Sequence, residues 1–311
     1  MNELINTNID RSELVNHFLE SLKANTREAY RNDLEGFKTF LGYEDIKELV
    51  NFIVQSHPGK ANLIVLKWRT LLTDEGLSPS SINRKLAAMR SLVSFARMLG
   101  VINWNLEVKN LKSKTYKNVR GPGESAYKMM MNLLAKQGKK QSVRDRAILV
   151  LLHDLALRRA EVCKLDLEDI IRGPVTVVAV SGKGRDEKEL LTIPENTLAI
   201  IDEWIEIRGN KPGPLFTSMD RAKKGSGRLT SGAIYERIRS IGKSIGIETH
   251  PHALRHLAIT EACKLAQAYG IGLEEILNFS RHSNVNTLMI YRDKERDVQG
   301  KISSILSKSN L

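Results

Sequence analysis

The chain has 311 residues, 41% hydrophobic and 27% charged, which suits two ordinary domains with separate cores and excludes a disordered chain. No apolar run is long enough for a bilayer span, the polar, acidic opening MNELINTNIDRSELV fits neither a secretory signal nor a transit peptide, and Cys163 and Cys263 read as reduced core thiols. A formal charge of +12 and a pI near 9.6 make a polyanionic partner plausible.

The first hundred residues read as helices. Asn25-Thr-Arg-Glu28 is a variant capping box, with Asn25 or Thr26 as N-cap, and Tyr30, Leu34, Phe37 and Leu41 follow on one helical face. Ser78-Pro79-Ser80 opens another helix, with Ile82, Leu86, Met89, Val93 and Ala96 as its apolar stripe. Its opposite stripe holds Asn83, Arg90, Ser94 and Arg97. Such a stripe is usually solvated surface, but amide, hydroxyl and guanidinium groups together also suit a DNA major groove.

Residues 107–124, EVKNLKSKTYKNVRGPGE, lose the apolar period and carry five basic side chains, among them Lys112, Lys114 and Lys117. They set the expected organisation: a helical domain at 1–107, a basic linker at 108–124 able to follow a phosphate backbone, and a second domain at 125–311. Charge divides in the same place. Residues 1–107 hold 13 Lys/Arg and 13 Asp/Glu, whereas 108–311 hold 35 and 23, so the whole excess lies in the latter.

Beyond the linker, Arg144 to Leu157 is a strongly apolar helix. Val175 to Val180 is a β-branched strand, Ser181-Gly-Lys-Gly-Arg-Asp a turn, and Glu189 to Ile193 the return strand. Helices resume near Glu195, and residues 221–227 form a Lys/Gly/Ser loop. The fold class is therefore mainly α with a small β-sheet.

Five short segments carry candidate chemistry, and each has an ordinary reading. Arg158 and Glu161, three apart, make a common helix-surface pair. Lys183 lies in a Gly-Lys-Gly turn that lacks the phosphate-cradling GxxxxGK[ST] pattern. His250-Pro-His252-Ala-Leu-Arg255-His256 suggests a metal, yet no established ligand spacing accompanies it. Arg281-His282 precedes Tyr291 by nine positions from the histidine, and an isolated tyrosine near a terminal helix is most often a core or interface residue.

In this order and spacing, Arg158 and Glu161, Lys183, His252 and Arg255, His282 and Tyr291 resemble the signature of the tyrosine recombinase (phage integrase) family. Asn25-Thr-Arg-Glu-Ala-Tyr and Ile82-Asn-Arg-Lys-Leu resemble its SAM-like core-binding domain, so the resemblance runs from about residue 12 to 300. Two positions depart from the family pattern: Ala156 and Arg281 stand where a glycine is usual, and the second puts an extra cation beside His282.

The resemblance implies a core-binding domain and an α+β catalytic domain forming a C-shaped clamp on DNA. It implies Tyr291 as nucleophile, Arg158 and Arg255 as phosphate-binding guanidiniums, and Lys183 as proton donor to the departing 5′-oxygen. His252 and His282 would bind the phosphate or tune the tyrosine proton, with Glu161 in support. Arg27, Arg31, Asn83, Arg90, Ser94, Arg97, Lys112, Lys114 and Lys117 are the DNA-binding candidates.

The implied reaction is site-specific recombination through a 3′-phosphotyrosyl intermediate and a Holliday junction, with no cofactor and neither ATP nor metal. The partners are double-stranded DNA with an inverted-repeat core site, further copies forming a tetramer on two sites, and accessory proteins, with no membrane; the C-terminal tail docks on a neighbouring copy, as in the family, or packs on its own domain. The expected location is the cytoplasm, at the nucleoid in a bacterium. With the core-binding domain starting near residue 12, a simple Xer-, Cre- or transposon-resolution-like enzyme is expected, not a phage integrase with a separate arm-binding domain. The rival readings are a type IB topoisomerase, a non-catalytic DNA-binding protein of the same fold, and a metal-dependent nuclease.

Overall fold

The computed structural model describes residues 13–112, 122–182, 187–219 and 227–282, together with 285, 303 and 307. The chain separates into two compact units, 1–115 and 116–311. Among the described residues, no helix is long and apolar enough to cross a membrane.

The first unit is helical: α1 (Leu14–Glu20), α2 (Ala24–Leu41), α3 (Glu48–Gln55), α4 (Pro58–Asp74) and α5 (Pro79–Met98). Their apolar stripes meet in one core, with Leu34 and Phe37 of α2, Trp68 of α4, and Ile82, Leu86, Met89 and Val93 of α5 buried. The Phe37 and Trp68 rings lie 4.8 Å apart, a packing contact beyond simple burial. Ser78 caps α5 by accepting from the Ser81 amide, with Pro79 at the first helical position.

The start of α2 differs from the sequence reading. The helix begins at Ala24 behind an extended Lys23, and no side chain caps it. The expected capping at Asn25 or Thr26 is not realised because the chain enters helical geometry one residue before Asn25, and the Thr26 and Arg27 amides donate to the Lys23 carbonyl instead.

Residues 102–112 have no regular secondary structure, yet they belong to the first unit. Leu106 and Val108 are buried in its core and Leu111 packs against it. Residues 108–112, expected to open a linker, are thus docked.

The second unit holds α6 (Glu124–Gln137), α7 (Lys140–His153), α8 (Arg159–Lys164), α9 (Glu195–Arg208), α10 (Ser231–Ser244), α11 (Pro251–Tyr269) and α12 (Leu273–Ser280). Its sheet has the order β1 (Ile170–Ile171), β2 (Val177–Ser181), β3 (Lys188–Thr192), all antiparallel, with Val177 opposite Thr192 and Ser181 opposite Lys188. Helix α7 is central. Ala147 to Leu152 are all buried, as expected of a helix packed on several sides, here by α6, α9 and α11.

Helix α7 stops at His153 and not at Leu157, because the chain turns through Ala156 with a φ of 45° while the Leu157 amide reaches back to the Leu151 carbonyl. A left-handed residue just past the end of a helix is ordinarily glycine. Arg281, at the end of α12, has a φ of 51°. Among the described residues, these are the two non-glycine residues with positive φ, and they are the two departures from the family pattern.

Candidate active site

The turn after α7 delivers Arg158 as the extended residue before α8. Glu161, in the first turn of α8, accepts from the Arg158 amide at 2.7 Å and from Arg158 Nη1 at 2.9 Å. The second Nη of Arg158 donates to the Arg281 carbonyl at 3.0 Å. The Arg158 side chain remains one-third exposed, whereas Glu161 is buried.

Helix α11 opens with His250 as its cap, the Nδ1 accepting from the Ala253 amide at 3.2 Å. This places His252 and Arg255 within its first turns. Arg255 is fully buried and donates to the carbonyls of Ala156 and Ser280, joining the end of α7 to the end of α12. A buried guanidinium needs such partners, since carrying it out of water unpaired is costly.

His282 follows directly after Arg281. Its pKa is lowered to about 4, first by burial and then by the charges of Arg255, Arg158, His252 and Arg281. His252 is lowered by burial and by Arg255, His250 and Arg158, and His256 falls to about 4 by burial and the charge of His252. The structure therefore brings Arg158, His252, Arg255 and His282 together around the ends of α7, α11 and α12, with neutral imidazoles among fixed cations. Lys183 and Tyr291, like Lys114 and Lys117, lie outside the described residues.

Several DNA-binding candidates of the first unit are engaged by the protein's own backbone. Arg27 donates to the carbonyls of Leu19, Glu20 and Leu22 at 2.9, 3.0 and 3.1 Å, tying α2 to the end of α1 and the turn that follows it. Asn83 holds Leu111 by a reciprocal pair, Nδ2 donating to the Leu111 carbonyl at 2.9 Å and the Leu111 amide donating to Oδ1 at 2.8 Å. Arg90 donates to the Val108 carbonyl at 2.8 Å and to Asn110 Oδ1 at 2.7 Å, and Arg97 to Asn105 Oδ1 at 2.7 Å. Asn83 and Arg90 of the α5 polar stripe thus secure the strap 105–111. Arg31, Ser94 and Lys112 are exposed.

Three features were not found from the sequence. Arg281 is buried, and its Nη2 pairs with Glu161 Oε2 at 2.6 Å. His153 lies between Asp154 and Glu261 at 2.9 and 3.0 Å, stacked on Tyr127 at 3.9 Å. The Arg159 and Arg239 guanidiniums flank the Tyr235 ring at 5.3 and 5.8 Å. A glycine-to-arginine departure was the signal for the first; the others join residues too distant in sequence for any local pattern.

The profile of the phage integrase family matches residues 124–297, and that of the phage integrase N-terminal SAM-like domain matches 15–98. A tyrosine recombinase of Synechocystis sp. is 36% identical over 91% of this chain and 90% of the relative. Another, from Synechococcus elongatus, is 32% identical over 91% and 89%. Among solved structures, the Tn1549 transposon integrase in complex with transposon right end DNA aligns with a TM-score of 0.70 at 18% identity, covering 95% of this chain and 99% of that one. The XerH site-specific recombinase bound to a palindromic difH substrate aligns with a TM-score of 0.65 at 16% identity, covering 96% and 95%. These two show a shared fold; the profiles and the cyanobacterial relatives show kinship. The chain belongs to the phage integrase family, the tyrosine recombinases.

Proposed function

We propose that this chain is a site-specific DNA recombinase that cuts and rejoins strands through a 3′-phosphotyrosyl bond to Tyr291. The observation that carries the reading is the convergence of Arg158, Arg255, His252 and His282 in the second unit, held by Glu161 and by backbone carbonyls.

A free tyrosine has a pKa of roughly 10 and is a weak nucleophile near neutrality. Guanidiniums beside the scissile phosphate favour the phenolate and offer paired donors to the non-bridging oxygens. Negative charge grows on those oxygens as the phenolate attacks, so fixed donors stabilise the transition state more than the ground state. Arg158 keeps an exposed edge that can face a phosphate, while buried Arg255 fixes the floor of the site. His252 and His282, held neutral, can donate a hydrogen bond or accept the tyrosine proton. Lys183 protonates the departing 5′-oxygen, and the phosphotyrosyl bond conserves the energy for rejoining, so neither ATP nor metal takes part.

The DNA partner is a duplex with an inverted-repeat core site. Exchange between two such sites calls for four active copies and a Holliday junction. A lambda integrase tetramer bound to a Holliday junction shares the fold, with a TM-score of 0.66, and supports that assembly here.

The test incubates parent and Tyr291→Phe protein with fragmented DNA from the source organism, without metal, and sequences the ends of DNA recovered covalently attached under denaturing conditions. Capture by the parent alone, at junctions converging on one inverted repeat, supports the reading. Equal capture by Tyr291→Phe removes the assigned nucleophile. Arg158→Ala or Arg255→Ala should slow cleavage by about 10² to 10³ with much smaller losses in a gel-shift assay. Equal losses in both assays would reject their role.

A further inference from the structure

Arg281 is a third arginine of the site. Its side chain is 3% exposed, and Nη2 donates to Glu161 Oε2 at 2.6 Å and to the Ala156 carbonyl at 3.4 Å. Glu161 thus answers to two guanidiniums, Arg158 through Oε1 and Arg281 through Oε2, and Oε2 also accepts from the Arg158 amide. The linkage closes on itself, because Arg158 Nη2 donates to the Arg281 carbonyl.

The residue also bears two costs. It occupies the left-handed region, which a non-glycine residue enters only at an energetic penalty. Its Nε and Nη1 are buried and have no hydrogen-bond partner among the described residues. A glycine would end α12 without either cost. What the arginine adds is a second clamp on the carboxylate that orders Arg158.

We infer that Arg281 is a positioning residue for strand cleavage: through Glu161 and its own carbonyl it fixes the guanidinium of Arg158 for the scissile phosphate. The inference rests on the recombinase reading above. Arg281 need not touch the phosphate. Loss of a group that orients a directly acting one typically costs about 10- to 100-fold, less than loss of the acting group itself.

Arg281→Gly is a favourable test because glycine suits the backbone at this position, so the variant should fold. Covalent-complex formation by Arg281→Gly should be about 10- to 100-fold slower at saturating DNA. Affinity in a gel shift should change less, and Arg281→Lys should be intermediate because it keeps the charge without the fork. In a Glu161→Gln background, adding Arg281→Gly should cost little more, since both changes break one linkage. A second arm needs no DNA: ¹⁵N relaxation of the Arg158 Nε–H group in the full chain should show an ordered side chain in the parent and a mobile one in Arg281→Gly. Parent-like cleavage by Arg281→Gly, fully multiplicative losses in the double variant, or an unchanged Arg158 side chain would each overturn the inference. If the parent forms no covalent complex, the recombinase reading fails, and the relaxation arm still decides the coupling of Arg281 to Arg158.

Discussion

His153 shows how one side chain can tie several elements together. It stands at the end of α7, with Nδ1 on Asp154, Nε2 on Glu261 of α11, and its ring on Tyr127 of α6. Asp154 in turn accepts from Thr197 of α9 at 2.6 Å. Burial disfavours the charged imidazole, but the hydrogen bonds and charges of Asp154 and Glu261 outweigh it and raise its pKa. A raised folded pKa means the stabilisation is complete below the unfolded value, roughly 6.5, and fades as pH rises through the folded value. His153→Gln should therefore cost about 2 kcal/mol in urea unfolding at pH 6 and clearly less at pH 9. A cost independent of pH would mean that the imidazole is neutral.

His256 and His282 have the opposite sign, each pushed to about 4 with burial as the leading cause. Imidazole resonances in a pH titration of the free protein should show both still neutral at pH 5.5, with His153 protonated. A midpoint near 6.5 for His282 would count against its placement among Arg255, Arg158 and Arg281. At this scale the sequence carried much of the site. Arg158, Glu161, His252, Arg255 and His282 sit in short local motifs that keep their spacing whatever surrounds them. The Arg281–Glu161 and His153–Glu261 pairs span 120 and 108 residues, and no local pattern reports a contact that only the fold creates.

At the level of elements, the apolar stripes were legible and the intramolecular partners of the polar ones were not. Leu34 and Phe37 on α2, and Ile82, Leu86, Met89 and Val93 on α5, are buried as their 3.6-residue period requires. The polar stripe of α5 presents donors that suit any row of acceptors, and phosphate oxygens and backbone carbonyls are alike in that respect. Here the carbonyls of 108–111 take up Asn83 and Arg90. Residues 108–111 read as linker because Val108 and Leu111 stand among polar and basic residues in a segment with no helical period. Asn83→Ala would leave the amide and carbonyl of Leu111 without their partners, a cost of about 1–3 kcal/mol. Thermal unfolding should show that loss, while DNA affinity measured well below the transition stays near the parent value. A large drop in affinity with unchanged stability would mean that Asn83 acts at the DNA surface.

Over the whole molecule, charge is the property least tied to the fold and most tied to the partner. Residues 1–107 are neutral in sum, so the long-range attraction for a polyanion arises from the remainder. Each lysine or arginine that neutralises a phosphate releases condensed counterions, and the logarithm of the binding constant falls with the logarithm of salt by about 0.9 per contact. Lys112, Lys114 and Lys117 form a basic run in the sequence near the boundary between the two units. If the run follows the phosphate backbone, replacing all three by glutamine should lower the magnitude of the salt slope by about 3, one unit for each contact. Affinity should fall by a similar factor for target and unrelated duplexes, because phosphate contacts position a protein without reading sequence. Cleavage at saturating DNA should stay close to the parent rate, since none of the three belongs to the catalytic set. A salt titration of parent and triple variant on both duplexes separates the alternatives. An unchanged slope would place the run in solvent, and a loss confined to the target duplex would mean that these lysines read bases.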